Sequence, residues 1–212
     1  KEILNTLDIT IPVITLSNNK IYKFENSNIT ANRRIKRTIN LYRKFFLPKT
    51  IHAKNKIFIS RKDSLTRTII NEKEIVNLLK TFSFESDTLR GKTLEQQIEL
   101  FSSSKLIVSM HGSALTNLLF TPSGSTVIEI TGDFKNFNND WISEKNSEQF
   151  AKYTRSMFNL IALECNINHY FYFSKINKVN DQHFNFDFEK ITYSNLLVNI
   201  SILKKFLISK KL

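Results

Sequence analysis

The chain has 212 residues, 41% of them hydrophobic, and a formal net charge of +12; that is enough apolar material for one sizeable core, and no stretch approaches the ~18 consecutive apolar residues of a membrane span. A single cysteine, Cys165, excludes an internal disulfide framework and a multi-cysteine zinc site, and four glycines with three prolines leave little material for flexible linkers. Lys1 opens the chain without an initiator Met or the layout of a signal peptide, as a fragment or processed form would, and the expected setting is cytoplasmic, with peripheral contact at the inner face of an anionic membrane as an option.

Residues 9–16 (I-T-I-P-V-I-T-L) read as a strand that Pro12 bends or confines to an edge. From Thr30 to Phe46, residues Ile35, Ile39, Tyr42 and Phe46 recur at the spacing of one helical face, and Pro48 is expected to end that helix. Ile57-Phe58-Ile59-Ser60 reads as a buried strand. Asn71 and Glu74 have the spacing of a cap ahead of Ile75, Leu78, Leu79 and Phe82; after a short strand, Phe82 to Glu85, Thr93 and Gln96 repeat it ahead of Ile98 and Phe101. A strand from Lys105 to Met110, a helix over Ala114 to Leu119 and a strand from Ser125 to Ile130 follow.

Helical spacing returns at Phe158, Ile161, Ala162 and Cys165, the cysteine serving as a small apolar residue. The aromatic segment Phe171 to Phe188 fits no regular pattern, and Leu196, Ile200, Leu203 and Leu207 predict a closing helix with a basic tail. Alternating strands and helices of these lengths predict an α/β fold: a Rossmann-like, mainly parallel sheet with helices on both faces.

Charge is concentrated. Between Arg33 and Arg67 lie twelve Lys and Arg residues against one acidic residue, Asp63. Such a field draws anions, whether nucleotide diphosphates, nucleic acid or an anionic membrane, although a solvated helix face in a Lys-rich chain explains residues 33–56 equally well. Aromatic interleaving is limited to Tyr42, Phe45, Phe46 and Phe58, the first three on a helix with a core-facing stripe, so base stacking is not favoured and no nucleic acid partner is expected.

Three clusters fall at or beyond the carboxyl ends of predicted strands, where open α/β sheets bind ligands. In the first, Ser60 and Arg61 lead to Arg67, Asn71 and Glu72, and the guanidinium groups suit bidentate phosphate contact. In the second, His111-Gly112-Ser113 turns the chain into a helix: His111 offers hydrogen bonding or proton transfer, Gly112 close backbone approach, Ser113 and Thr116 hydroxyls, and Asn117 either a ligand contact or a brace. In the third, Glu129 is a carboxylate inside an apolar run; it requires a specific partner, such as ribose hydroxyls or a salt bridge. Ser113 lacks the flanking glycines of a nucleophile elbow, and neither a P-loop nor the dinucleotide glycine fingerprint is present.

The strings I-F-I-S-R-x5-T-R-x3-N-E from Ile57, T-L-E-Q-Q-I-E-L-F from Thr93 and H-G-S-A-L-T-N-L-L-F-x-P-x-G-x-x-V-I-E-I from His111, in this order, resemble glycosyltransferase family 61. The resemblance is good over residues 50–132 and loose on the flanks. It implies the C-terminal, donor-binding lobe of a two-lobe GT-B enzyme. The donor would be a nucleotide sugar, UDP-linked, and the acceptor a glycan or polysaccharide, with inversion at the anomeric carbon and no metal or other cofactor.

On this resemblance Arg61, Arg67 and His111 carry the catalytic roles, and Ser60, Asn71, Gly112, Ser113, Thr116, Asn117 and Glu129 join them in binding the donor. The family's second glycine in the turn is Ala114 here. Residues 1–30 become a strand segment or interlobe connection and residues 31–212 the nucleotide-sugar domain. Two other classes are a basic module for nucleic acid or membrane surfaces and a noncatalytic nucleotide-binding lobe that needs a partner.

Overall fold

In the computed structural model the described residues are 29–47, 53–64, 67–132, 141–144, 157–178 and 195–212. The strand expected over residues 9–16 lies outside them. The elements are α1 (Ile29–Phe46), β1 (Asn55–Ile59), α2 (Glu72–Lys80), β2 (Glu85–Asp87), α3 (Leu94–Ser102), β3 (Ser104–Met110), a 3₁₀ helix (Ser113–Phe120), β4 (Thr126–Gly132), β5 (Trp141–Glu144), α4 (Met157–Glu164), β6 (Asn168–Lys178), β7 (Asn195–Leu197) and α5 (Ile200–Ser209).

The sheet runs in the order β2-β1-β3-β4-β6-β5, with β7 also paired to β6. The five strands from β2 to β6 in that order are parallel, and β5 and β7 are antiparallel to β6. The expected Rossmann-like α/β fold is present. From β1 the chain goes to one side for β2 and then to the other for β3, so the strand order reverses between β1 and β3. The carboxyl ends of that pair flank the crevice in which open sheets of this kind take their ligands.

Side chains alternate across the sheet with the period of two that strands impose. Phe58, Val108, Ile128 and Tyr172 face one side, where Ile75 and Leu79 of α2 and Leu203 and Leu207 of α5 cover them. Ile57, Ile59, Ile107 and Val127 face the other, against Ile39 of α1, Phe101 of α3, Leu115 and Leu118 of the 3₁₀ helix and Ile161 of α4. Cys165, a free thiol, is buried in this second layer. Burial on both faces is what confines these strands to near-continuous apolar runs. Among the described residues no helix is long and apolar enough to cross a membrane.

Several local expectations change. Thr93 and Gln96 do form a reciprocal capping box, but Asn71 makes no side-chain cap; its amide instead brackets the backbone of Val198, donating to the carbonyl at 2.8 Å and accepting from the N–H at 3.0 Å. The short strand begins at Glu85, because Ser83 takes a left-handed conformation and turns the chain first. Ala114–Leu119 is 3₁₀ rather than α-helical. Leu196 belongs to β7, and the start of the aromatic segment is β6. Phe46, expected on the inner stripe of α1, is 42% exposed.

Phe101 has no exposed surface, whereas Phe45 is 70% exposed. In urea unfolding, Phe101→Ala is expected to lose about 3–5 kcal/mol, and Phe45→Ala less than ~0.5 kcal/mol.

Candidate functional site

The turn after β1 is held by Glu72 at the start of α2. Ser60 Oγ donates to Glu72 Oε1, the Arg61 N–H donates to Oε2 at 3.4 Å, and the Lys62 N–H donates to Ser60 Oγ at 3.2 Å. Ser60 is 4% exposed and serves this turn. The turn aims Arg61 across the crevice, where Nη2 donates to Ser64 Oγ at 3.1 Å.

Opposite lies Gly112, with φ of +154°. A Cβ placed there would stand 2.6 Å from Arg61 Nη1 and 3.6 Å from Arg67 Nη1. Two guanidinium groups therefore converge on one stretch of bare backbone. Burial, and then the charge of Arg67, lower the affinity of Arg61 for its proton, and Asp63 partly offsets them; the group stays charged nonetheless because a guanidinium starts so high. Arg61 Nε is buried with no hydrogen-bond partner among the described residues. Arg67 itself is left-handed, with φ of 56°, a conformation that non-glycine residues adopt at a cost and that concentrates at functional sites.

His111 follows β3. Its N–H donates to the Ile130 carbonyl at 2.8 Å, its ring packs edge-on to Phe158 with centroids 5.3 Å apart, and Nδ1 meets Glu129 Oε1. The other carboxylate oxygen, Oε2, lies 2.8 Å from Nε2 of His169 on β6. Burial alone would raise the Glu129 carboxyl, but hydrogen bonds and charge from the two imidazoles outweigh it and bring the group from 4.5 down to about 2. Glu129 is 1% exposed and gives one carboxylate oxygen to each histidine, the salt-bridge alternative rather than an open carboxylate.

A cleft of about 430 Å³ opens between β1 and the 3₁₀ helix. Ser60, Arg61, Ser113, Thr116 and Asn117 line it, so the structure brings the first two sequence clusters together. Asn117 braces the turn, its amide donating to Gln97 Oε1 at 3.0 Å and to the Ala114 carbonyl at 3.2 Å. Asn71 is spent on Val198, and neither it nor Arg67, His111 or Gly112 lines the cleft itself; Arg67 and Gly112 meet at its edge through Arg61. Leu89, Arg90 and Gln97 also line it. Arg90 had a signal in the sequence, since Gly91 after it marks a turn beyond β2 at the same sheet edge.

The basic run is divided among several tasks. Arg43 donates to the carbonyls of Leu119 and Thr121 at 2.9 and 2.8 Å, closing the end of the 3₁₀ helix. Lys36 lies 4.0 Å from Glu164. Among the described residues no group of three or more His, Cys, Asp or Glu residues is arranged to hold a metal ion.

Residues 9–128, more than half of the chain, match the family model for glycosyltransferase 61. The chain belongs to glycosyltransferase family 61. Among the curated relatives of this family-61 chain, the EGF domain-specific O-linked N-acetylglucosamine transferase of Bos taurus is 34% identical over 83 residues, 37% of this chain and 16% of the relative. The same enzyme of Gallus gallus is 33% identical over 87 residues, with the same coverage. The protein O-linked-mannose beta-1,4-N-acetylglucosaminyltransferase 2 of Mus musculus is 37% identical over 67 residues, 30% of this chain and 12% of the relative. The matched segment thus spans under a fifth of these relatives' length.

Because folding lowers the Glu129 carboxyl from 4.5 to about 2, its stabilisation is complete above about pH 4.5 and is lost as pH falls from there through about 2. E129Q is expected to cost on the order of 3 kcal/mol at neutral pH and to flatten the stability profile across that acid range. Urea unfolding at a series of pH values checks this; an E129Q profile as steep as the wild type's would refute it.

Proposed function

We propose that the cleft between β1 and β3 binds a nucleotide sugar and that the protein transfers the sugar to a glycan or polysaccharide acceptor. The observation that carries this reading is the convergence of Arg61 and Arg67 on Gly112 at the reversal of strand order. Two like charges held together, one of them partly desolvated, favour a multivalent anion between them, and a diphosphate fits. Backbone N–H groups in the first turn of the 3₁₀ helix lack partners within the helix and add donors on the same side.

In this reading the acceptor oxygen attacks the anomeric carbon from the face opposite the diphosphate. The bond from that carbon to the phosphate oxygen breaks, and the configuration inverts. The arginines stabilise the charge that develops on the departing diphosphate, so the step needs no metal ion. His111, anchored through Nδ1 and partly exposed, is the imidazole in reach of a donor hydroxyl in this reading. The chain acts as the donor-binding lobe of a two-lobe enzyme. The relatives' names make N-acetylglucosamine the first sugar to assay, carried on UDP as the expected nucleotide.

Calorimetric titration with UDP and GDP tests the site. Arg61→Ala is expected to weaken UDP binding by at least about tenfold, the loss of one charged hydrogen-bonding group. Gly112→Ala, whose methyl would displace Nη1, should do the same. Undiminished affinity in Arg61→Ala would sink the assignment.

A second reading concerns a different surface. On α1, Lys36, Arg37 and Lys44 are exposed beside Leu41 and Phe45, the composition of a helix that settles on an anionic membrane. Co-sedimentation with phosphatidylserine vesicles that disappears in high salt and in a Phe45→Ser, Lys44→Ser double variant would support peripheral contact; vesicle binding unaffected by both would exclude α1 as its basis.

A further inference from the structure

His169 does not line the cleft, yet among the described residues it is a fully buried polar side chain. Its side chain has no exposed surface, its ring lies 4.2 Å from that of Phe171, and Nε2 is 2.8 Å from Glu129 Oε2. Nδ1 is buried without a hydrogen-bond partner among the described residues. Three neighbouring strands thereby contribute to one line of contacts: His169 from β6, Glu129 from β4 and His111 from the end of β3.

The protons along this line follow from its donors and acceptors. An ionised carboxylate only accepts, so both ring nitrogens that face it carry hydrogen. His169 is then the Nε2–H form, and its buried Nδ1 keeps a lone pair, since a second N–H there would bring an unpaired donor and a charge into apolar surroundings. His111 is the Nδ1–H form. Its ring is 24% exposed, and in the neutral state its Nε2 keeps a lone pair.

We propose that His169 is a positioning residue that acts through Glu129 to fix the tautomer and orientation of His111. By occupying one carboxylate oxygen, it leaves Glu129 a single oxygen and a single rotamer with which to hold the His111 ring. A neutral His111 so held accepts a hydrogen bond from a hydroxyl, either of the donor's sugar or ribose or of the acceptor, and does not pair with a phosphate oxygen, itself an acceptor. Two kinds of group thus divide the donor's recognition: cations for the diphosphate and an imidazole lone pair for a hydroxyl. The ligand half of this inference rests on the nucleotide-sugar reading; the tautomer does not.

Nitrogen-15 NMR of histidine rings at pH 7.5 reads the tautomers directly, and the chain has four histidines to assign. The wild type is expected to show hydrogen on Nδ1 of His111 and on Nε2 of His169. In H169L, Glu129 has lost one donor and no longer enforces one form, so His111 should become a mixture of tautomers. H169Q, whose amide donates to the carboxylate, should restore the single form. Hydrogen on Nε2 of His111 in the wild type, or an unchanged His111 in folded H169L, overturns the proposal. Should H169L fail to fold, the wild-type and H169Q spectra decide it on the first criterion. Failure of the wild type to bind UDP would remove the donor-site reading and leave the tautomer result standing.

Discussion

Two guanidinium groups repel each other, and in this protein the fold holds them side by side against the one residue of the turn that has no side chain, Gly112. The arrangement is unfavourable by itself. It persists because each arginine is fixed from elsewhere: Arg61 by the Ser60–Glu72 turn and Ser64, Arg67 by a backbone in the left-handed region. Asp63 offsets part of the repulsion at Arg61. The remainder of the site can be understood as scaffolding for that pair.

Beneath the arginines the sign of the charge reverses. Glu129 is a buried carboxylate whose desolvation is offset by two imidazoles rather than by a lysine or arginine. His111 and His169 each engage one oxygen of the carboxylate, so it is aligned by two imidazoles and not by a third arginine or a lysine. The protein therefore separates attraction from alignment. Arginines supply the first and the buried carboxylate the second.

Much of this was legible in the sequence. Ile57–Ile59, Leu106–Val108 and Val127–Ile130 are apolar runs that end in polar turns, so strand identity, and with it the edge shared by Arg61 and His111, followed from local pattern. The turn His111-Gly112-Ser113 was recognisable for the same reason. Glu129 was conspicuous as a charge in an apolar run, but its partner was not. His169 sits in N-H-Y-F-Y-F, where burial on both faces removes the alternation that marks a strand. Asn71 was misleading because a short amide ahead of a helix signals a cap by local spacing, whereas this one is claimed by Val198, far away in the chain. Interactions between distant segments leave no periodic trace.

The same distant contacts bear on where a functional unit begins and ends. The family match closes at residue 128, but the segment that carries Arg67 is not self-sufficient at that point. Thr68 takes Asn195 Oδ1 as acceptor for both its N–H and its hydroxyl, the Ile70 N–H donates to the Leu196 carbonyl while the Leu196 N–H donates to the Thr68 carbonyl, forming a parallel bridge between Ile69 and Leu196, and Asn71 grips Val198. The span that evolution keeps recognisable and the span that folding requires are thus different lengths. The segment that carries Arg67 rests on foundations laid at Asn195 and Val198, well beyond the end of the family match.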